Sequence, residues 1–204
     1  MLLRIIPETG SSIAASVLFS KFSLRSSHTH TILEGLIKLD FTAADKERIS
    51  LSQRIIEHIG ICAWNLNAFH QCPPESKIPF LKDELEVNYH KSVHDLFTLL
   101  KLLYDKNSIE AVWENLEAGT GQSISFSVEL LDTFVEEDLK PYLLPLLEDI
   151  SPTNKLWILE SYFPLRTVNN LDLLKSIINR DNNLISKQAK IYALNGFNYI
   201  SKDN

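Results

Sequence analysis

Apolar residues recur along this chain at helical spacing, three and four positions apart, and polar turns cut the pattern into short paired segments. The clearest run is Asn107 to Asp149, NSIEAVWENLEAGTGQSISFSVELLDTFVEEDLKPYLLPLLED. It predicts a helix, a polar turn, a second helix, and a short helix that ends on an acidic pair. The same order recurs in SSIAASVLFSKFSLRSSHTHTILEGLIKL from Ser11 and in NNLDLLKSIINRDNNLISKQAKIYALNGF from Asn169. Repeated hairpins of this kind stack, because each is too small to bury its apolar face alone. A stack of hairpins supplies a surface for partners, not a catalytic pocket.

The individual elements follow from faces and stops. Met1 to Ile6 is apolar and helix-like but lacks a cap, which implies a segment cut from a longer protein, with Leu2, Leu3 and Ile5 as a sticky end. From Ser11, the residues Ile13, Val17 and Leu18 suggest one apolar face. Ser26 and Ser27 can cap the next helix, where Ile32, Leu33, Leu36, Ile37 and Leu39 point inward. Gly35 inside that helix costs about 1 kcal/mol against alanine and marks close helix contact. Asp45 to Cys72 reads as one long helix with Ile49, Ile55, Ile56, Ile59, Ala63, Leu66 and Phe69 on its buried side. Pro73 and Pro74 stop it.

Pro79 then opens a second long helix, Phe80 to Tyr104. Its start is charged (Lys82, Asp83, Glu84, Glu86), and its end is dense in leucine. The short proline-rich link predicts antiparallel partners. Pro141 and Pro145 predict a kinked or broken helix over Leu139 to Leu147, and Pro164 ends a short helix from Leu156. A last hairpin covers Leu171 to Ile178 and Ser186 to Phe197. The expected fold is an all-α solenoid of hairpins with one enlarged long-helix pair in the middle. It forms one domain, 1–204: a first hairpin at 1–43, the long antiparallel pair at 44–105, a hairpin plus short helix at 106–150, and C-terminal hairpins at 151–204.

Composition narrows the function. The chain has 204 residues, 45% of them hydrophobic and 23% charged, an ordinary balance for a domain with a sizeable core. A formal charge of −6 argues against a tracker of nucleic-acid phosphates, which normally shows a basic stripe. Cys62 and Cys72 lie ten apart on one helix, about 15 Å along its axis, so no disulfide joins them and a reduced, cytoplasmic location is expected. No apolar run approaches the roughly 18 residues that span a bilayer, and no secretory leader is evident.

The hairpins resemble HEAT repeats. LKDELE, LLKLLYDKNSIEAVWENLEAG and SVELLDTFVEEDLKPYLLPLLEDISP are similar to the HEAT region of bacterial ATP/ADP-translocase-like transporters of the major-facilitator type. The resemblance spans the chain and is densest from Leu81 to Pro152. It implies a cytoplasmic appendage of a membrane protein, whose partner is a protein segment or the adjacent membrane domain. Transport residues are not carried over, because the membrane domain that holds them is absent. Gly119 and Gly121 form only GTG, without the lysine and hydroxyl of a nucleotide-binding loop.

No catalytic residue and no cofactor are expected. His90 and His94 have the i, i+4 spacing of a helical metal pair, but the glutamate of a zinc-protease motif is missing between them. A surface or structural role is expected, and a ligand role would need His58 or Cys62 as a further donor. His28 and His30, two apart, face different ways. Glu136, Glu137 and Asp138 fit the first turn of the following helix, where acidic groups complement the dipole, and Glu148 and Asp149 read as solvated. Trp64, Trp113 and Trp157 fall at core spacing. Lys187 and Lys190 are expected on the partner-facing side of the last hairpin. The alternative is a nucleic-acid-binding HEAT-repeat enzyme of the alkylpurine glycosylase type, which the acidic charge and the scattered Arg4, Arg25, Arg48, Arg54, Arg166 and Arg180 disfavour.

Overall fold

The computed structural model describes residues 6–24, 26, 28–74 and 78–201. The expected sticky end at Leu2, Leu3 and Ile5 lies outside the described residues, as do Arg4, Arg25 and Ser27. The described residues are all-helical, without strands. A short 3-10 turn, Ile6–Thr9, precedes α1 (Ser12–Lys21), α2 (Thr29–Lys38), α3 (Asp45–His70), α4 (Leu81–Leu103), α5 (Lys106–Ala118), α6 (Gly121–Phe134), α7 (Lys140–Leu147), α8 (Pro152–Leu159), α9 (Asn170–Asn179) and α10 (Lys187–Ile200). No helix among the described residues is long and apolar enough to cross a membrane.

Polar side chains set most of the helix starts. Ser11, Asp105, Ser151, Asn169 and Ser186 each accept a hydrogen bond from a backbone N–H in the first turn of the helix that follows. Thr120 and Ser123 form a reciprocal capping box at α6. Gly119 closes α5 at φ 68, a left-handed conformation that glycine adopts without steric cost. The GTG sequence is thus the turn of a hairpin.

The chain divides into two units, each drawing on part of α3 and part of α4: Met1–Ile59 with His94–Asp149, and Gly60–Val93 with Ile150–Asn204. In the first unit α1 packs on α2, α5 on α6, and α6 on α7. Its core holds Leu18, Ile32, Leu36, Leu51, Ile55, Leu96, Phe97, Leu100, Val112 and Leu131, all nearly inaccessible. The buried Ser127 hydroxyl donates to the Val112 carbonyl at 3.1 Å, tying α6 to α5. Gly35 sits where a Cβ would come within 2.9 Å of Pro7 and 3.1 Å of Leu18, so the approach read from the sequence is real.

In the second unit α9 and α10 pack together, and Leu173, Leu174, Ile177, Ala189 and Ala193 close against Ala68, Ile78, Leu81 and Leu85. Lys82 lies over the Phe69 ring and Tyr89 lies near Cys62, so these parts of α3 and α4 run in opposite directions. Ser186, the cap of α10, also donates to Glu84 at 2.5 Å, and its N–H donates to Asn88 at 2.8 Å. Gln71 holds the 160s segment from both sides, accepting from Val168 N–H at 2.9 Å and donating to the Arg166 carbonyl at 3.1 Å. The Arg180 guanidinium stacks 3.6 Å over Trp64, and burial lowers its pKa from 12.5 to about 10.

Several sequence expectations change. Ile13 and Val17 face solvent at 74% and 45% exposure; the buried side of α1 is Ala15, Leu18 and Phe19. Trp157 is 75% exposed, because its short helix buries only Leu159. The second long helix starts at Leu81: Phe80 adopts φ 64, which a right-handed helix excludes. The run with Pro141 and Pro145 is one eight-residue helix. Pro141 sits in the first turn, where its missing N–H costs nothing, and Pro145 falls in the last turn, where a single bond is lost.

Candidate functional site

The first half of α3 carries two apolar stripes. Leu51, Ile55 and Ile59 form the buried one, spaced by four residues. Ile49 and Ile56, seven residues or two turns apart, lie on another line of the same helix. Sequence periodicity placed Ile49 in the core, but it is 68% exposed, and Ile56 is half-buried. Both line an open cleft of about 430 Å³ with Asp45, Arg48, Ser52, Gln53, Glu136, Asp138 and Leu139. That volume falls within the range of small-ligand and side-chain-binding clefts.

The opposite wall is the turn before α7, which the sequence placed inside the first turn of that helix. Glu136 to Asp138 instead precede α7, and Leu139 at its cap position makes no side-chain cap. Glu136 forms an ion pair with Arg48, and Arg48 also donates to the Leu103 carbonyl at 2.9 Å. The Glu136 N–H donates to the Tyr104 hydroxyl at 3.3 Å, fixing the turn to the end of α4. Glu137 turns away to pair with Lys140 at 2.6 Å. Asp45 and Asp138 are exposed on the cleft rim, and neither carboxylate makes a hydrogen bond or ion pair with a described residue.

A second cleft of about 260 Å³ continues along α3, lined by Phe22, Ser23, Leu24, Ser50, Gln53, Arg54 and Glu57. Gln53 belongs to both clefts. Arg54 donates to the Phe22 carbonyl at 2.6 Å, completing the end of α1, and lies 4.7 Å from the Phe22 ring and 5.3 Å from that of Phe19. Burial lowers its pKa, and Glu57 partly offsets this. The arrangement offers apolar surface, a carboxylate rim and neutral hydrogen-bonding groups. Three serines, Ser23, Ser50 and Ser52, line the two clefts, and no histidine lies in either lining.

The histidines sit elsewhere. His90 lies in the second unit, 4.0 Å from Glu86 and with its ring 5.5 Å from Tyr89. His94 lies in the first unit, 4.0 Å from Asp95 and edge-on to Trp113 at 5.4 Å. His30 reaches both Glu34, at 3.1 Å, and Asp95, at 3.8 Å, whereas His28 is the cap residue of α2. His58 and Cys62 are buried. Among the described residues, no three His, Cys, Asp or Glu side chains converge as a metal site. Lys187 is exposed, while Lys190 is spent on the Asn182 side chain at 2.7 Å and on the Arg180 carbonyl.

The sequence carries a signal for the exposed stripe on α3, though not for the wall that faces it. Ile49 follows Asp45 by four residues and precedes Ser52 and Gln53, so it belongs to a mixed stripe rather than to the wholly apolar one. Compared with family models, curated proteins and solved structures, the chain matches none.

Proposed function

We propose that this chain is a non-catalytic interaction module, a HEAT-like solenoid of helical hairpins forming one domain and carried on the cytoplasmic side of a transporter-like membrane protein. The observation that supports it best is the cleft on α3, where Ile49 stands exposed beside Ile56 and Leu139 under a carboxylate rim. Exposed apolar side chains in a concave, polar-rimmed surface mark recognition sites. The packed helical pairs α1 with α2, α5 with α6, and α9 with α10 fit the repeat reading. The membrane-protein setting is carried over from the resemblance of the Leu81 to Pro152 stretch to translocase-linked HEAT regions, an expectation from the sequence alone.

Two measurements test this. A photoreactive amino acid placed at positions 49 and 138 in the native cell should capture the same protein, and no adduct at either position would remove the interaction role. Sequencing the reading frame upstream should reveal apolar helices of about 20 residues; a stop codon directly before Met1 would overturn the transporter setting.

A further inference from the structure

We infer that the occupant of the α3 cleft is a basic amphipathic helix from a partner protein, with apolar side chains for Ile49 and Ile56 and lysine or arginine for the rim. The inference rests on the interaction role proposed above and adds the chemistry of the partner. Its first support is length. The cleft follows α3 from Asp45 to Ile56, about three turns or roughly 16 Å, which matches three turns of a docked helix. A helix laid in such a groove inserts residues at i, i+3 or i+4, and i+7, the spacing on which the apolar floor is built.

The second support is charge. Arg48 is paired with the Glu136 carboxylate and donates to the Leu103 carbonyl, so its charge is already balanced within the cleft. Asp45 and Asp138 remain, exposed and without partners among the described residues. Glu57 extends the same sign into the adjoining cleft, where Arg54 is held over the Phe19 and Phe22 rings. A partner that brings carboxylates would meet like charge on both sides of the groove. One that brings lysine or arginine gains complementarity, which sets specificity and encounter rate. Gln53, shared by both clefts and without a side-chain hydrogen bond among the described residues, is placed to bind a side chain or a helix end.

Titration calorimetry tests this with two synthetic 14-residue helices, one of leucine and lysine, the other of leucine and glutamate. The full chain should bind the lysine peptide saturably and the glutamate peptide at least about tenfold more weakly. Ile49→Glu should weaken the lysine peptide about tenfold, even though it adds a negative charge; position 49 is exposed enough for the fold to tolerate it, which circular dichroism verifies. Asp45→Asn with Asp138→Asn should weaken it about threefold and flatten its salt dependence. Equal or tighter binding to Ile49→Glu would show attraction by bulk charge and overturn the inference, as would equal affinity for the two peptides or no saturable binding. Capture of a protein through position 49 alongside any of those results would sink the basic-helix partner while leaving the interaction role standing.

Discussion

Gly196 is buried in the middle of α10, and replacing it with alanine sets two known effects against each other. Alanine favours a helix interior by about 0.8–1.0 kcal/mol. The added Cβ, however, would lie 2.6 Å from Cδ1, 2.8 Å from Cγ1 and 2.9 Å from Cγ2 of Ile78. Two of these atoms are bonded to the same β-carbon, so no single rotation of a stiff, branched side chain clears both. Ile78 is 2% exposed among Leu81, Leu85 and Leu173, so it cannot swing into solvent. Overpacking of this kind costs about 1–3 kcal/mol. The net expectation for Gly196→Ala is a loss of about 0–2 kcal/mol, or up to about 8 °C in Tm for a chain of this size.

A double-mutant cycle isolates the cause. Ile78→Ala alone should cost about 2–5 kcal/mol through the cavity it leaves. In that background the methyl at position 196 meets no clash and retains its helix preference, so Gly196→Ala should stabilise by about 1 kcal/mol. The coupling is then about 1–3 kcal/mol, above the deviation expected of independent sites. Urea unfolding followed by circular dichroism at 222 nm supplies all four corners, and Ile78→Val, which removes Cδ1 alone, gives an intermediate point on a firmer background. Additivity within about 0.5 kcal/mol, or a raised midpoint for Gly196→Ala alone, would refute the packing account.

Two further outcomes follow from the second unit. Ser186→Ala removes the cap of α10 together with the hydroxyl that donates to Glu84, and should cost about 1–2 kcal/mol in a urea titration, whereas Ser186→Thr should recover most of it. Burial raises the Cys72 thiol from 9.0 to about 11 and also raises Tyr89, so between pH 9 and 10, below the range where the lowered Arg180 acts in the opposite sense, the unfolded chain loses protons that the folded chain keeps. Stability should therefore fall as pH rises through that window; the Cys72→Ser, Tyr89→Phe double variant should flatten the decline, and an unfolding midpoint that held steady or rose would contradict it.

Helices were readable because proline and capping residues punctuate the sequence and apolar spacing fills the rest. Asp45 begins α3, and Pro73 and Pro74 lie just beyond its end at His70, because neither proline can continue it. The leucine-dense end of α4 is buried as its pattern implies. Faces were harder to read. Ile13, Val17 and Ile49 are apolar and correctly spaced, yet they face water, because periodicity identifies a stripe without saying whether another element covers it. The cleft was invisible for the same reason. Its far wall is a turn nearly 90 positions along the chain, joined to α3 by the Arg48–Glu136 pair, and no local pattern encodes that meeting. Trp157 falls at core spacing, yet its helix is too short to bury more than Leu159, so the indole stays in water.

The placement of the three indoles gives the molecule its own optical reporters. Trp113 belongs to the first unit, packed 4.9 Å from the Phe97 ring, while Trp64 belongs to the second, beneath Arg180. Trp157 is already 75% in water, so its emission changes little when the chain opens, and replacing it removes a constant background. Chains that keep only Trp113 or only Trp64 would each light one unit, and the two emission curves against denaturant would then show whether the units come apart together or in turn.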